Sequence, residues 1–272
     1  MHATTRRNPV MSFSSARAEN QLLAALPGAA WQQLEPDLQW IELLSGTLLY
    51  EAGVELPHVY FPGTAVVSLV SSMQDGTCAE VAMVGNEGVA GTCAFMGGGR
   101  AHSSAVVQAS GHGWRMSAAA IAGHARRSEA VMQQLLRYTG ALFVHMAQTS
   151  ACNRLHGLDQ QLCRWLLLNL DRREGNELRI TQERIACMLG VRREGVTHSA
   201  LKLQKAGLIH YVRGHIHVLD RSGLEERSCE CYSVVKQAYD RLLLPHEPHP
   251  GPEVGWERCR ALNDGARLRA VA

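Results

Sequence analysis

The stretch from Thr181 to Ile209 limits what this chain can fold into more than any other. Thr181 is a good N-cap, because its hydroxyl can accept from a backbone N–H that a helix start leaves unpaired. Ile185, Ala186, Met188 and Leu189 then make one apolar face at helical spacing. Gly190 follows, suited to the left-handed conformation that stops a helix sharply. A second stripe, Val196, Ala200 and Leu203, begins at once at i, i+4 and i+7. Two short helices across a Gly-containing turn predict a helix-turn-helix. Beyond it, Ile209 and Tyr211 alternate with polar residues, as do Ile216 and Val218, which predicts a β-hairpin. The whole reads as a winged helix.

Arg192, Arg193, Glu194, Thr197 and His198 occupy the first two turns of the second helix, off its apolar stripe. This is the end of a recognition helix that enters the major groove. There Arg can donate two hydrogen bonds to a guanine edge and Glu can accept from cytosine N4. A merely solvated helix face is the alternative, and the hairpin behind it favours a reader of double-stranded DNA. Arg213, at the turn of the hairpin, joins the candidate contacts. The charge distribution agrees: residues 154–244 hold 15 Lys and Arg against 11 Asp and Glu, whereas residues 1–153 hold 8 against 10. A local basic excess is what phosphate neutralisation requires.

The length of 272 residues suggests two domains. No window approaches the roughly 18 consecutive apolar residues of a membrane helix. Arg6-Arg7 are followed by residues too polar for a signal peptide, so a cytoplasmic location is expected. The eight cysteines (78, 93, 152, 163, 187, 229, 231 and 259) include no Cys-x-x-Cys and are expected to be small buried thiols. Cys229-Glu230-Cys231 falls in an expected helix, where i and i+2 point to different sides. No metal site and no cofactor are therefore expected.

In order, residues 1–17 show no period and are expected to lack structure. Short strands separated by turn residues fill the segment to about Arg115, among them Leu38–Leu43, His58–Phe61, Ala65–Val70 and Glu80–Val84. That cadence predicts an antiparallel β-roll or jelly roll over 18–127, with Gly97-Gly98-Gly99 as a flexible loop. A long helix follows, within 128–157. It places Leu135, Thr139, Leu142, Met146, Thr149 and Asn153 at alternating four- and three-residue steps, the seam of a two-stranded coiled coil. Packing of that stripe on its own roll is the alternative. The winged domain is expected over 158–244 and an unstructured tail over 245–272. The fold class is α+β.

A roll, a long helix and a C-terminal winged helix, in that order, resemble the Crp/Fnr family of bacterial transcription regulators, from about Leu22 to Leu244. The most specific piece is Thr181-Gln182-Glu183-x-Ile185-Ala186-x-x-Leu189-Gly190-Val191-x-Arg193-Glu194-x-Val196. The resemblance implies a homodimer on a two-fold operator, working with RNA polymerase. It places Arg193, Glu194 and His198 at the family's base-reading positions, with His198 replacing an Arg. Thr181, Arg192 and Gly195 fall at phosphate-contacting positions, and Gly195 lets backbone approach DNA closely. The effector side departs from the pattern. The cyclic-nucleotide cassette needs a glycine followed by glutamate, then an Arg-Ser pair. Here Thr92 follows Gly91, and Ser103-Ser104 stand where the pair should be. Arg100 is a substitute only if the loop is realigned. A buried phosphate without a cation is costly, so cAMP binding is not expected and any small-molecule effector is unknown. Residues 1–50 contain no cysteine for an iron–sulfur cluster.

Two other functions compete with this reading. A cupin-like metalloenzyme roll needs a His-x-His set, but His58, His102 and His112 occur singly, and His215-x-His217 lies in the hairpin. An adaptor would use Val66, Val67 and Leu69 as a docking surface, although their alternation suits a core. No nucleophile elbow, P-loop or dinucleotide fingerprint is present, so no enzyme is expected.

Overall fold

The computed structural model describes residues 14–97 and 99–243; Gly98, the segment 1–13 and the tail from 244 onward lie outside the described residues. The expected tail and most of the expected N-terminal segment therefore fall outside them. Residues 14–17 do not: helix α1, Ser14–Glu19, begins inside the stretch expected to lack structure. Helices α2 (Gln21–Ala24) and α3 (Gly28–Leu34) follow. Asn20 anchors this start, its buried amide donating to the carbonyls of Pro62 (2.9 Å) and Gly88 (3.0 Å) while its oxygen caps Leu23 N.

The roll is two antiparallel sheets. Strands β1 (Gln39–Leu43), β3 (His58–Pro62) and β7 (Gly111–Ser117) form one, in the order β1-β7-β3. Strands β2 (Leu48–Tyr50), β4 (Val66–Ser72), β5 (Cys78–Val84) and β6 (Ser104–Ala109) form the other, in the order β2-β6-β4-β5. Phe61, Val66, Val67, Met83, Trp114 and Met116 fill the space between them. Val66, Val67 and Leu69 are buried in that core, so they offer no docking surface.

Helix α4 (Ala118–Arg127) leads into α5, Glu129–Leu155, a 27-residue helix capped by Ser128 accepting from Val131 N. Its inner face packs on β5, on α4 and on a later helix, Cys231–Asp240 (α10), and here the expected dimer seam is corrected. Leu135, Thr139 and Leu142 are 3%, 3% and 5% exposed within the single chain. Met146 packs against the same core. Thr139 and Thr149 donate back to the carbonyls of Leu135 and His145, leaving Asn153 exposed. The stripe one residue on, Leu136, Gly140, Phe143, Ala147 and Ser150, is the exposed one. Leu136 and Phe143 are 52% and 57% exposed. The two stripes share the same four–three spacing, and the inner one is taken by the roll and α10.

After a two-residue joint, α6 (Leu158–Leu170) is buried on every side from Gln161 to Leu170 and forms the spine of the C-terminal domain. Around it lie α7 (Gln182–Leu189), α8 (Arg193–Lys205), α9 (Arg221–Arg227) and α10 (Cys231–Asp240). The wing has three strands rather than two. Glu177–Arg179 (β8) pairs with β10 (His215–Val218), which pairs with β9 (Ile209–Val212).

The junction between roll and winged domain is buried and polar. Trp165 Nε1 donates to Glu80 Oε1 at 3.0 Å, and the Ser68 hydroxyl donates to the other oxygen of the same carboxyl. Gln108 Nε2 donates to Asn169 Oδ1 at 2.7 Å. Arg172, with its side chain 3% exposed, pairs with Glu87 at 2.8 Å, donates to the Leu168 carbonyl and lies over the Tyr239 ring. A disulfide, Cys78–Cys187, joins β5 to α7 across 109 residues of sequence. It corrects the expectation that these cysteines are separate thiols.

Candidate nucleic-acid interface

The two helices of the reading head are held as their termini dictate. Thr181 Oγ1 accepts from Arg184 N at 3.3 Å. Gly190 adopts φ +66°, ψ +35°, and its N–H returns to the carbonyls of α7. Ile185, Ala186, Val196, Ala200 and Leu203 close the contact between α7, α8 and α6. At the wing, Arg213 and Gly214 both have positive φ (48° and 84°), the requirement of a tight primed hairpin turn. The turn holds the Arg213 side chain out in solvent.

This scaffold leaves Arg192, Arg193, Glu194 and His198 exposed at the start of α8, with Thr181 exposed beside them. Among the described residues, the side chains of Arg192, Arg193, Glu194 and His198 make no hydrogen bond or ion pair. Two expected contacts behave differently. The Thr197 hydroxyl lies 2.7 Å from Gln182 Oε1 and 3.1 Å from the Arg193 carbonyl, tying α8 to α7 rather than facing outward. Gly195 is a packing glycine: a Cβ there would stand 2.9 Å from Leu158 Cδ2, so the missing side chain makes room for the start of α6. Further along α8, Lys202 is engaged with Asp159 at 2.9 Å.

The effector-side residues converge only in part. Gly91 (φ +103°), Thr92 and Ser103 line a cavity of about 330 Å³ between the roll and α5. Tyr50, Leu69, Val89, Leu142, Phe143 and Met146 supply most of its remaining wall. No Lys or Arg is among the described lining residues. Ser104 lies outside it, accepting from Ala52 N at 3.1 Å. Arg100 is exposed and reaches the Gly53 carbonyl at 3.4 Å, so the realigned loop that would aim it inward is not the one adopted.

His58, His102 and His112 are not gathered into a ligand set, whereas a group that sequence reasoning missed lies elsewhere. Cys152, His156, Cys229 and Cys231 meet at the foot of α5. Cys229-Glu230-Cys231 is the turn between α9 and α10, not helix interior, which is why both thiols turn the same way. Their sequence separation left no local spacing to read. Among the described residues, no helix is long and apolar enough to cross a membrane.

Residues 160–227 match the family described as Crp-like helix-turn-helix domain. No curated protein matches the chain closely enough to count as a relative. Solved structures share its fold. A crp/fnr-family putative transcriptional regulator from Eubacterium rectale, 20% identical, superposes with a TM-score of 0.61 over 77% of this chain and 98% of its own. FixK2 from Bradyrhizobium japonicum, 16% identical, gives 0.60 over 71% and 98%. The c-di-GMP responsive global regulator CLP from Xanthomonas campestris, 12% identical, gives 0.57 over 71% and 99%. The chain thus carries a Crp-like helix-turn-helix domain, and its roll, long helix and winged domain share the fold of solved Crp/Fnr regulators.

Proposed function

We propose that the chain works in the cytoplasm as a homodimer on a two-fold operator, reading base edges with Arg193, Glu194 and His198. Thr181, Arg192 and Arg213 would hold phosphates, and RNA polymerase is the partner on the promoter. It acts by binding rather than by catalysis. The observation that carries this reading is the group of solvated, unpartnered polar side chains at the N-terminal turns of α8. Arg193→Ala is expected to cost about 1–3 kcal/mol on a selected duplex and relax preference at one base pair. Arg192→Ala should weaken binding alike on all sequences. Affinities measured on selected and random duplexes decide it: equal losses for Arg193→Ala on both would sink the assignment.

Pairing runs along Leu136, Gly140, Phe143, Ala147 and Ser150, whose exposed four–three spacing suits a two-stranded seam. It would set two recognition helices about one DNA turn, roughly 34 Å, apart. Leu136→Glu should convert a dimer to a monomer by sedimentation; an unchanged dimer would refute the seam. The roll is a sensor whose effector is not a cyclic nucleotide, because the cavity sets Thr92, His102 and Ser103 among mostly apolar walls, with no Lys or Arg among the described lining residues to pair with a phosphate. Calorimetric titration with cAMP should show no micromolar binding, and such binding would overturn this.

A further inference from the structure

We propose that Cys152, His156, Cys229 and Cys231 form a structural Zn²⁺ site that clasps the end of the long helix to the winged domain. The four ligating atoms already lie within 4.8 Å of one another. Cys152 Sγ is 3.5 Å from Cys229 Sγ, and Cys231 Sγ is 3.5 Å from His156 Nδ1. A tetrahedral zinc with ordinary bond lengths sets sulfur atoms about 3.8 Å apart and a sulfur and a nitrogen about 3.5 Å apart. The group therefore needs only small side-chain adjustments to close on an ion.

The donors arise from two places in the chain. Cys152 and His156 are one helical turn apart at the end of α5, with His156 as its C-cap, so both face the same way. Cys229 and Cys231 flank Glu230 in the turn that starts α10. The three thiols form an apolar cluster of their own and are 0%, 4% and 2% exposed. Three buried thiolates and an imidazole are a closed set suited to structural zinc rather than to a hard cation.

What surrounds the donors fits the same ion. Glu230 Oε1 stands 3.4 Å from His156 Nε2, the carboxylate–histidine arrangement that would leave Nδ1 for the metal. The Arg164 guanidinium is buried beside the cluster; it donates to Thr149 Oγ1 at 2.8 Å, and its Nε has no partner among the described residues. Zinc with three thiolates and a neutral imidazole carries one net negative charge, which this cation would balance. Burial pushes the Cys152 and Cys231 thiols up, and the charge of Arg164 opposes that push. Binding would release the thiol protons to solvent, with no redox step.

The site bridges the two-residue joint between α5 and α6, so a bound ion would stiffen the hinge on which the reading head is carried. That consequence rests on the regulator reading, but the site itself does not. Its test is the metal content of the untagged full-length protein, purified under reducing conditions. About one zinc per chain is expected. Cys152→Ser, Cys229→Ser and Cys231→Ser should each lose it. Cys163→Ala, which removes a buried thiol outside the cluster, should keep it. Glu230→Gln should bind about 10- to 100-fold more weakly.

If the serine variants fail to fold, Co²⁺ titration of the metal-stripped wild type still decides. The strong visible bands of a tetrahedral cobalt–thiolate centre support the site, and their absence overturns it. Wild-type metal no higher than in the serine variants would also overturn it, as would a Cys152–Cys229 disulfide found by peptide mapping in place of metal. Zinc retained by a protein that binds no DNA would instead count against the regulator reading alone.

Discussion

Two sets of charges, one where the winged domain meets the roll and one on the outer face of that domain, are treated in opposite ways. On the side that meets the roll, Glu80, Glu87 and Arg172 are buried, and each has partners: Trp165 and Ser68 for Glu80, and Glu87 and Arg172 for one another. On the outer face of α8, Arg192, Arg193, Glu194 and His198 are exposed and make no hydrogen bond or ion pair among the described residues. A buried ion without a partner is strongly destabilising, whereas a solvated one costs little. Partnered charge therefore marks architecture here, and unpartnered charge marks surface left free for another molecule.

The largest expected effect tests the architectural side. Cys187→Ser removes the staple between β5 and α7, and closing a loop of 109 residues is worth about 4–5 kcal/mol in the chain-entropy account. Denaturant unfolding of the variant and the wild type, both unreduced, should differ by about that amount. Coincident curves would show that the junction holds without the bond.

Next comes Glu80, whose carboxyl burial pushes up from 4.5 to about 7 despite its hydrogen bonds and the nearby charges of Arg172 and Arg164. The folded state binds this proton more tightly than the unfolded state. The resulting stabilisation is complete below about pH 4.5 and lost as pH rises through about 7. Across that window it amounts to roughly 3 kcal/mol. Glu80→Gln can keep the hydrogen bonds to Trp165 and Ser68 without the charge, and should flatten this part of the stability–pH curve. An unchanged slope would break the assignment.

The smallest effect tests the outer face. Arg192→Ala and Arg193→Ala should leave unfolding within about 0.5 kcal/mol of wild type while changing DNA affinity. A large loss of stability in either would mean that the face is structural after all, and the contrast would fail.

How much of this could be read from residues alone depended on whether the signal was local. The reading head was legible because Thr181 and Gly190 bracket a helix, and the apolar spacing on both sides of that glycine agrees with it. Strand β8 was missed because Glu177-Leu178-Arg179 offers a single inward residue, Leu178, too short a run to show alternation. The long helix was found, but the stripe expected at a dimer seam packs on the roll and α10 within the chain. Periodicity shows that Leu135, Thr139 and Leu142 align, and it does not say whether the neighbour they meet is another chain or the roll. The Cys78–Cys187 bond and the thiol group at the foot of α5 join segments far apart in sequence, where spacing carries no information about approach. The cavity under Gly91 was legible as a place, because the cassette position was recognisable, but its apolar walls come from segments far apart in sequence: β2, β4, the loop after β5 and α5.

Phe143 belongs to two surfaces at once: it forms part of the cavity wall and stands in the outward stripe of the long helix. One ring cannot answer to both neighbours independently. A molecule that settles beneath it would tilt the very knob that the proposed second copy would grip, and the grip would in turn reshape the chamber. Ligand affinity and association strength would then be linked by a single coupling constant, the same whichever is varied.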